Sequence, residues 1–198
     1  MIRRVRPILF CPNALRTTLA AAALAPSQAA AQPVALGDHG LSTYGMPGMI
    51  DMPTATVMPD GTLSLTLSAM RPAHRATLAF QALPRVTVSF RYGGSDDFQW
   101  RRRTGGMLYD RSFDIHVLLF REGRYMPAVA VGLRDFIGTG IYSSEYVVVS
   151  RTLSPRLRAS LGMGWGRLAT RGGFTNPLGV LHPGFRTRPR GFTGLGGM

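Results

Sequence analysis

The sequence predicts an all-β protein, an antiparallel transmembrane β-barrel of about seven strands, and three observations carry that prediction. Apolar and polar residues alternate with period two over long runs. No window approaches the roughly 18 consecutive apolar residues of a membrane helix. The chain is only 17% charged, yet it holds 24 glycines and 14 prolines, a composition that suits many turns better than long helices.

Residues 1–31 read as a secretory signal peptide. Basic Arg3, Arg4, Arg6 and Arg16 precede the short apolar run Leu19–Ala25, and Ala29-Ala30-Ala31 offers small residues for cleavage before Gln32. The only cysteine, Cys11, lies inside this leader. It follows Phe10, where a lipoprotein signal wants a small residue, and it precedes the apolar run, so lipidation is not expected there. Residues 32–61 form an irregular Gly/Pro-rich lead-in, with Tyr44-Gly45-Met46-Pro47-Gly48, Met52-Pro53 and Met58-Pro59-Asp60-Gly61 at short intervals. Proline cannot donate to a ladder and glycine weakens one. Pro59-Asp60-Gly61 is a turn immediately before the first strand.

From Thr62 the alternation begins, and residues 62–168 are assigned to barrel strands. Leu63, Leu65 and Leu67 alternate with Ser64, Thr66 and Ser68. Val86, Val88, Phe90 and Tyr92 alternate with Arg85, Thr87, Ser89 and Arg91. Phe113, Ile115, Val117 and Leu119 alternate with Ser112, Asp114 and His116; Leu157 to Trp165 alternate with Arg158, Ser160, Gly162 and Gly164. Three noisier segments, Ala76–Leu83, Pro127–Phe136 and Ser143–Thr152, complete the set. Most run about 8–12 residues, the length a tilted strand needs to cross a bilayer. Mid-strand Leu65, Val88, Ile115, Val131 and Leu161 are expected to face lipid, and Arg85, Arg91, Asp114, His116, Arg134 and Arg158 to face a polar lumen.

The expected connections alternate between tight, as at Pro84 and Leu153–Arg156, and longer, as at Gly93–Asp110, which would separate a periplasmic rim from an outer one. Seven strands are fewer than the smallest bacterial barrel, and those barrels use even numbers. The barrel is therefore expected to be incomplete in this chain. Residues 169–198 read as a Gly/Arg-rich loop, with further strands to follow or to come from another chain.

The formal charge is +13 and all 23 basic residues are arginine. They scatter through turns, apart from Arg101-Arg102-Arg103, so the surplus reads as a solvated or anion-facing surface and not as a nucleic-acid stripe. No catalytic signature emerges. His39, His74, His116 and His182 have no metal-ligand spacing, and no cofactor motif is present. Asp96-Asp97 and Asp110 read as solvated loop charges. Gly162-Met163-Gly164-Trp165-Gly166 matches a phosphate loop only by letter, since no helix follows.

Three stretches carry a family resemblance. They are Tyr44–Pro53 with Met58-Pro59-Asp60-Gly61; Asp110–Asp114 with Pro127–Phe136; and Gly138-Thr139-Gly140 with Ser143–Tyr146, Gly162–Gly166 and Arg171–Phe174 with Asn176-Pro177. Together they resemble the YjbH-like family of exopolysaccharide-associated outer-membrane proteins. The resemblance implies a non-catalytic outer-membrane barrel of a Gram-negative bacterium that assists production or export of an extracellular polysaccharide. Its expected partners are outer-membrane lipid, an anionic polysaccharide or lipopolysaccharide met by Arg101, Arg102 and Arg103, and other polysaccharide-secretion proteins. A structural or porin-like barrel without a glycan role is the alternative, and a secreted carbohydrate-active enzyme a further one.

Overall fold

A computed structural model describes residues 40–71, 73–95, 107–168 and 175–186. The expected signal peptide with Cys11, the first part of the lead-in, Arg101–Arg103 and most of 169–198 lie outside the described residues. Two short strands come first, β1 (Gly48–Met49) and β2 (Met52–Pro53), paired antiparallel. The rest is one antiparallel meander of seven strands in sequence order: β3 (Leu63–Met70), β4 (Ala73–Leu83), β5 (Val86–Ser95), β6 (Leu108–Phe120), β7 (Ala128–Gly138), β8 (Ser144–Ser154) and β9 (Leu157–Gly166).

Each strand follows from its alternation, and each boundary from a local signal. Gly61 adopts φ +71°, a left-handed conformation open to glycine, and its N–H bonds the Gln81 carbonyl as the chain turns into β3. Pro84-Arg85 and Pro155-Arg156 make the two tightest turns on their rim, where proline sets φ in advance.

The strands extend further than the sequence implied. β4 starts at Ala73, β5 continues through Gly93 and Gly94, and β6 begins at Leu108. The ladder absorbs these residues because each finds a cross-strand partner, for example Gly93 with Arg75 and Asp110. One consequence corrects the loop pattern. One rim carries 84–85, 121–127 and 155–156, the other 71–72, 96–107 and 139–143. The 71–72 turn is as tight as any, and 121–127 is longer than 139–143. Connection length does not sort the two rims.

The two faces of the sheet differ in the reverse sense from a water-soluble protein. One face is open and apolar: Leu63, Leu65, Leu67, Leu78, Phe80, Phe90, Tyr92, Phe113, Leu119, Val147, Leu161 and Met163 are all exposed. The other is polar and buried, with Thr77, Gln81, Thr87, Ser89, Arg91, Ser112, Asp114, His116, Arg134 and Ser150. What buries it is the lead-in itself.

Residues 41–58 lie against the polar face, hydrogen-bond to five of the seven strands and touch a sixth, β5, through a ring contact. Ser68 donates to the Thr43 carbonyl, Met58 N–H to Gln81, and Ala55 N–H to Ser150. His116 bonds the Thr56 carbonyl, Arg134 the Asp51 carbonyl, and Arg91 stacks on Tyr44. The inner register makes room with small residues: Ala79, Ala128, Ala130 and Gly132. Two small apolar clusters form there. One joins Ala55 to Leu118, Ala128, Ala130, Tyr146 and Val148; the other joins Met46 and Met58 to Ala79.

Candidate functional site

The covered polar face gathers most of the chemistry in the described chain. At its centre is the Tyr44 ring. The guanidinium carbons of Arg134, Arg75 and Arg91 lie 4.3, 4.5 and 4.8 Å from its centroid. Cations over an aromatic face are attracted by its quadrupole, more strongly once water is excluded. Tyr44 sits at the Gly45 turn, where the backbone approaches β4 so closely that a Cβ on Gly45 would lie 2.6 Å from Thr77. That close approach is what delivers the ring to the arginines.

Arg91 and Asp114, on adjacent strands β5 and β6, form a buried ion pair with Nη1 to Oδ2 at 2.6 Å and Nη2 to Oδ1 at 3.4 Å. Both side chains are 1% exposed. A pair this dry holds its energy only while both partners remain, because either charge left alone would be stranded. Asp114 Oδ1 also accepts the backbone N–H of Asp135 at 2.8 Å. Asp135 has φ +50° and sits in a bulge, since β7 spends three residues where β6 spends one between the pairs Phe113–Ile137 and Ile115–Leu133. The bulge turns a backbone donor inward to meet the carboxylate.

His116 is fully buried and uses both ring nitrogens. Nε2 lies 2.9 Å from the Thr56 carbonyl, which can only accept, and Nδ1 lies 2.8 Å from the Tyr146 hydroxyl. A neutral ring with its proton on Nε2 satisfies both contacts. Tyr146 in turn lies over Gly132, where a Cβ would meet its ring at 2.3 Å. Gln81 closes the network at the other side. Its carbonyl oxygen accepts from Met58 N–H at 3.1 Å and Thr87 at 2.6 Å, and its amide donates to the Leu83 carbonyl at 2.7 Å.

The polar residues singled out from the sequence divide into two groups. Arg91, Asp114, His116 and Arg134 converge on this network. Arg85 does not: it falls in the two-residue turn before β5, is exposed, and donates to the Leu119 carbonyl at 3.2 Å. Arg158 occupies the inner register at the start of β9, where it pairs with Glu122 of the 121–127 connection at 3.0 Å. Of the apolar set, Leu65 and Leu161 are strongly exposed on the open face, while Val88, Ile115 and Val131 are half-buried in the same register.

Several participants were not singled out. Tyr44 looked like part of an irregular run, and Gln81 and Tyr146 fall in the noisier strands. Asn176 likewise reaches Glu145 at 2.9 Å while its Oδ1 caps the following turn at Leu178 N–H. Their signal was available for Gln81 alone, which continues the Thr77, Ala79 inner register.

The network is largely spent on itself, although Arg91 Nε, Arg134 Nε and Asp135 Oδ1 stay buried without a hydrogen-bond partner. Its strongest donors and acceptors are spent on one another and on the backbone of residues 41–58, and no group of three or more His, Cys, Asp or Glu side chains among the described residues could hold a metal ion. The arrangement holds a segment against a sheet.

Comparison with known proteins adds the family. The family described as exopolysaccharide biosynthesis protein YbjH matches residues 40–198. The "Uncharacterized lipoprotein YjbH" of Escherichia coli (strain K12) is 34% identical over 141 residues, which make up 69% of this chain and 20% of that protein. The chain thus spans about a fifth of the curated relative it matches. No solved structure matches. With a match that runs from the lead-in through the last strand and beyond, the chain belongs to the YjbH family of exopolysaccharide biosynthesis proteins.

Proposed function

We propose that this chain supplies strands to an outer-membrane β-barrel that assists the production or export of an extracellular polysaccharide, without catalysing a reaction itself. The observation that carries the membrane part is the inverted distribution of side chains. Leu65 and Leu161 are 66% and 80% exposed on the open face, while Arg91, Asp114 and His116 on the covered face are at most 2% exposed. An apolar face of this extent in water would be a severe liability, whereas in a bilayer it is solvated by lipid. The E. coli relative is named a lipoprotein, which fits an envelope location. The polysaccharide part rests on the family description.

In this reading Arg91, Asp114, His116 and Arg134 line the inside of the barrel, and residues 41–58 occupy it as a plug. Arg101, Arg102 and Arg103 contact an anionic polysaccharide or lipopolysaccharide, and other polysaccharide-secretion proteins complete the route.

The test is an arginine scan of the full-length protein in its own membrane. Arginine at Leu65, Ile115 or Leu161 should cost about 2–4 kcal/mol near the bilayer midplane and reduce the amount of assembled protein, with Ser160→Arg distinctly milder. Equal damage on both registers would overturn the membrane reading. Unchanged surface polysaccharide after deletion of the gene would overturn the polysaccharide role.

A further inference from the structure

The lead-in divides after Pro53 into a cap and an anchor. Residues 54–58 are the anchor: Ala55 N–H bonds Ser150, Met58 N–H bonds Gln81, and the Thr56 carbonyl meets His116. Residues 40–53 are bonded mainly to themselves. Ser42 N–H donates to the Met46 carbonyl, Thr43 N–H to that of Ile50 and Gly48 N–H to that of Gly40, and the β1–β2 pair closes the unit. Two hydrogen bonds tie this cap to the strands, from Ser68 to the Thr43 carbonyl and from Arg134 to the Asp51 carbonyl. Met46 adds apolar contact with Met58 and Ala79, and the Tyr44 ring adds its three guanidinium groups.

The cap is a poor match for what it covers. Arg75 and Arg134 meet a neutral ring and a backbone carbonyl, and neither has a carboxylate partner among the described residues. Thr77, Arg91 and Ser112 are cross-strand neighbours in one row on β4, β5 and β6. In that row Thr77 Oγ1, Arg91 Nε and Ser112 Oγ are buried without a hydrogen-bond partner, and so is Arg134 Nε. Burying polar atoms unpaired is costly, so the covered state forgoes hydrogen bonds that an oxygen-rich ligand would make. The Arg91–Asp114 pair lies wholly within the sheet and does not depend on the cap.

The groups beneath the cap define the ligand. The three guanidinium carbons lie within 4.8 Å of one point, the centre of the Tyr44 ring, so withdrawing that ring leaves a cup sized for one six-membered ring. The planar guanidinium fork matches a carboxylate through two parallel hydrogen bonds. The Thr77 and Ser112 hydroxyls, and the Asp110 carboxylate level with Arg75, suit sugar hydroxyls. With the cap in place the cavity beside Arg75, Arg91, Asp110 and Tyr142 is about 10 Å³, room for a single water, so a sugar enters only when the cap moves.

We infer that residues 40–53 are a displaceable cap, and that Arg75 and Arg134, assisted by Arg91, bind the carboxylate of an acidic sugar in an anionic polysaccharide once Tyr44 withdraws. The inference rests on the barrel reading above, in which this face lines the lumen, and adds a binding site distinct from the proposed contact at Arg101, Arg102 and Arg103.

The test uses the full-length protein carrying Arg101→Gln, Arg102→Gln and Arg103→Gln, which removes that loop contact, with a short oligomer of galacturonic acid as the probe. The oligomer should bind, and its methyl-esterified form, uncharged but otherwise alike, should not. Arg75→Gln should weaken binding about tenfold, the effect of losing one charge-assisted hydrogen bond. Tyr44→Leu, which loosens the cap, should strengthen binding by raising the open fraction. A thiol reagent should reach Met46→Cys, at a residue 2% exposed, faster when the oligomer is present. If Tyr44→Leu fails to accumulate, Arg75→Gln and the Met46→Cys rate decide. A rate that stays the same or falls on binding would overturn the displaceable cap. Equal binding of the ester, or binding indifferent to Arg75→Gln, would overturn the site, and inorganic phosphate competing as well as the oligomer would overturn the sugar. No binding, with the open-face arginine scan still asymmetric, would overturn this inference and leave the barrel reading standing; equal damage on both registers in that scan would remove both.

Discussion

Tyr44 and Asp114 hold the covered face together by different physics, and they should respond differently to substitution. Tyr44 touches three guanidinium groups through its ring, each contact worth about 0.5–2 kcal/mol depending on desolvation. Tyr44→Phe keeps the ring and should be tolerated. Tyr44→Leu keeps apolar bulk but loses the quadrupole, so residues 41–58 should become open to protease in the assembled protein while the strands stay resistant. Equal protease resistance of the two variants would deny the ring its role. Asp114→Asn leaves the buried Arg91 charge without a counter-charge and should cost about 3–5 kcal/mol, whereas replacing both partners with apolar residues of similar size should cost less. Thermal unfolding of the two single variants and the double variant would separate pair from packing.

The connection 121–127 is clasped at the level of elements by one carboxylate. Glu122 Oε1 accepts the backbone N–H of Thr152 at 2.8 Å, and its Oε2 accepts from the Thr152 hydroxyl at 3.1 Å and from Arg158 at 3.0 Å. The Thr152 N–H chiefly, with its hydroxyl and Arg158, holds the Glu122 carboxyl below its ordinary value. A carboxyl with a depressed folded-state pKa contributes stability above the unfolded value and loses it as pH falls through the folded one. The contribution is small at so exposed a site. Hydrogen-exchange protection of the Thr152 amide should therefore decline on acidification below the usual glutamate range, and Glu122→Gln should remove that dependence. A decline unchanged in Glu122→Gln would assign it to another group.

The elements also show how far the sequence could be read. Period-two alternation revealed the strands and separated their faces, because side chains in a strand must alternate whatever the fold does. Leu65 and Leu161 came out on one side and Arg91, Asp114 and His116 on the other for that reason. Strand ends were less legible: Gly93, Gly94 and Ala73 pair in the ladder although glycine and alanine carry little strand signal. Least legible was the docking of residues 41–58. Glycine and proline mark where a backbone leaves regular structure, and nothing in that punctuation says which face of a distant sheet it will cover. The small inner residues Ala128, Ala130 and Gly132 were the available clue to a close-packed occupant. The bulge at Asp135 had no local sign, since aspartate reaches φ +50° there to satisfy a carboxylate 21 residues earlier.

For the whole molecule, the proposed outer-membrane barrel requires one rim to face the cell exterior, and the proposed contact at Arg101, Arg102 and Arg103 depends on which rim that is. In sequence these arginines fall between β5 and β6, whose neighbouring ends, Ser95 and Leu108, lie on the same rim as 71–72 and 139–143. The opposite rim carries Arg85, Arg121, Arg124 and Arg156, all exposed, so charge alone does not orient the sheet. Labelling can. Thr104→Cys reports on one rim, and Tyr125→Cys, at a residue 80% exposed, on the other. In intact cells an impermeant thiol reagent should reach Thr104→Cys, and it should reach Tyr125→Cys only after the outer membrane is permeabilised. The reverse pattern would invert the orientation and place the three arginines toward the periplasm. With orientation known, the triple change to glutamine tests the anion. Attraction between exposed charges is screened over about 8 Å at physiological ionic strength, so binding of an acidic glycan to the wild-type protein should weaken with salt. In the triple variant it should be weaker at low salt and nearly salt-independent. A fall in surface polysaccharide with the triple variant would tie the contact to secretion, and an unchanged yield would confine these arginines to lipopolysaccharide phosphate or to solvent.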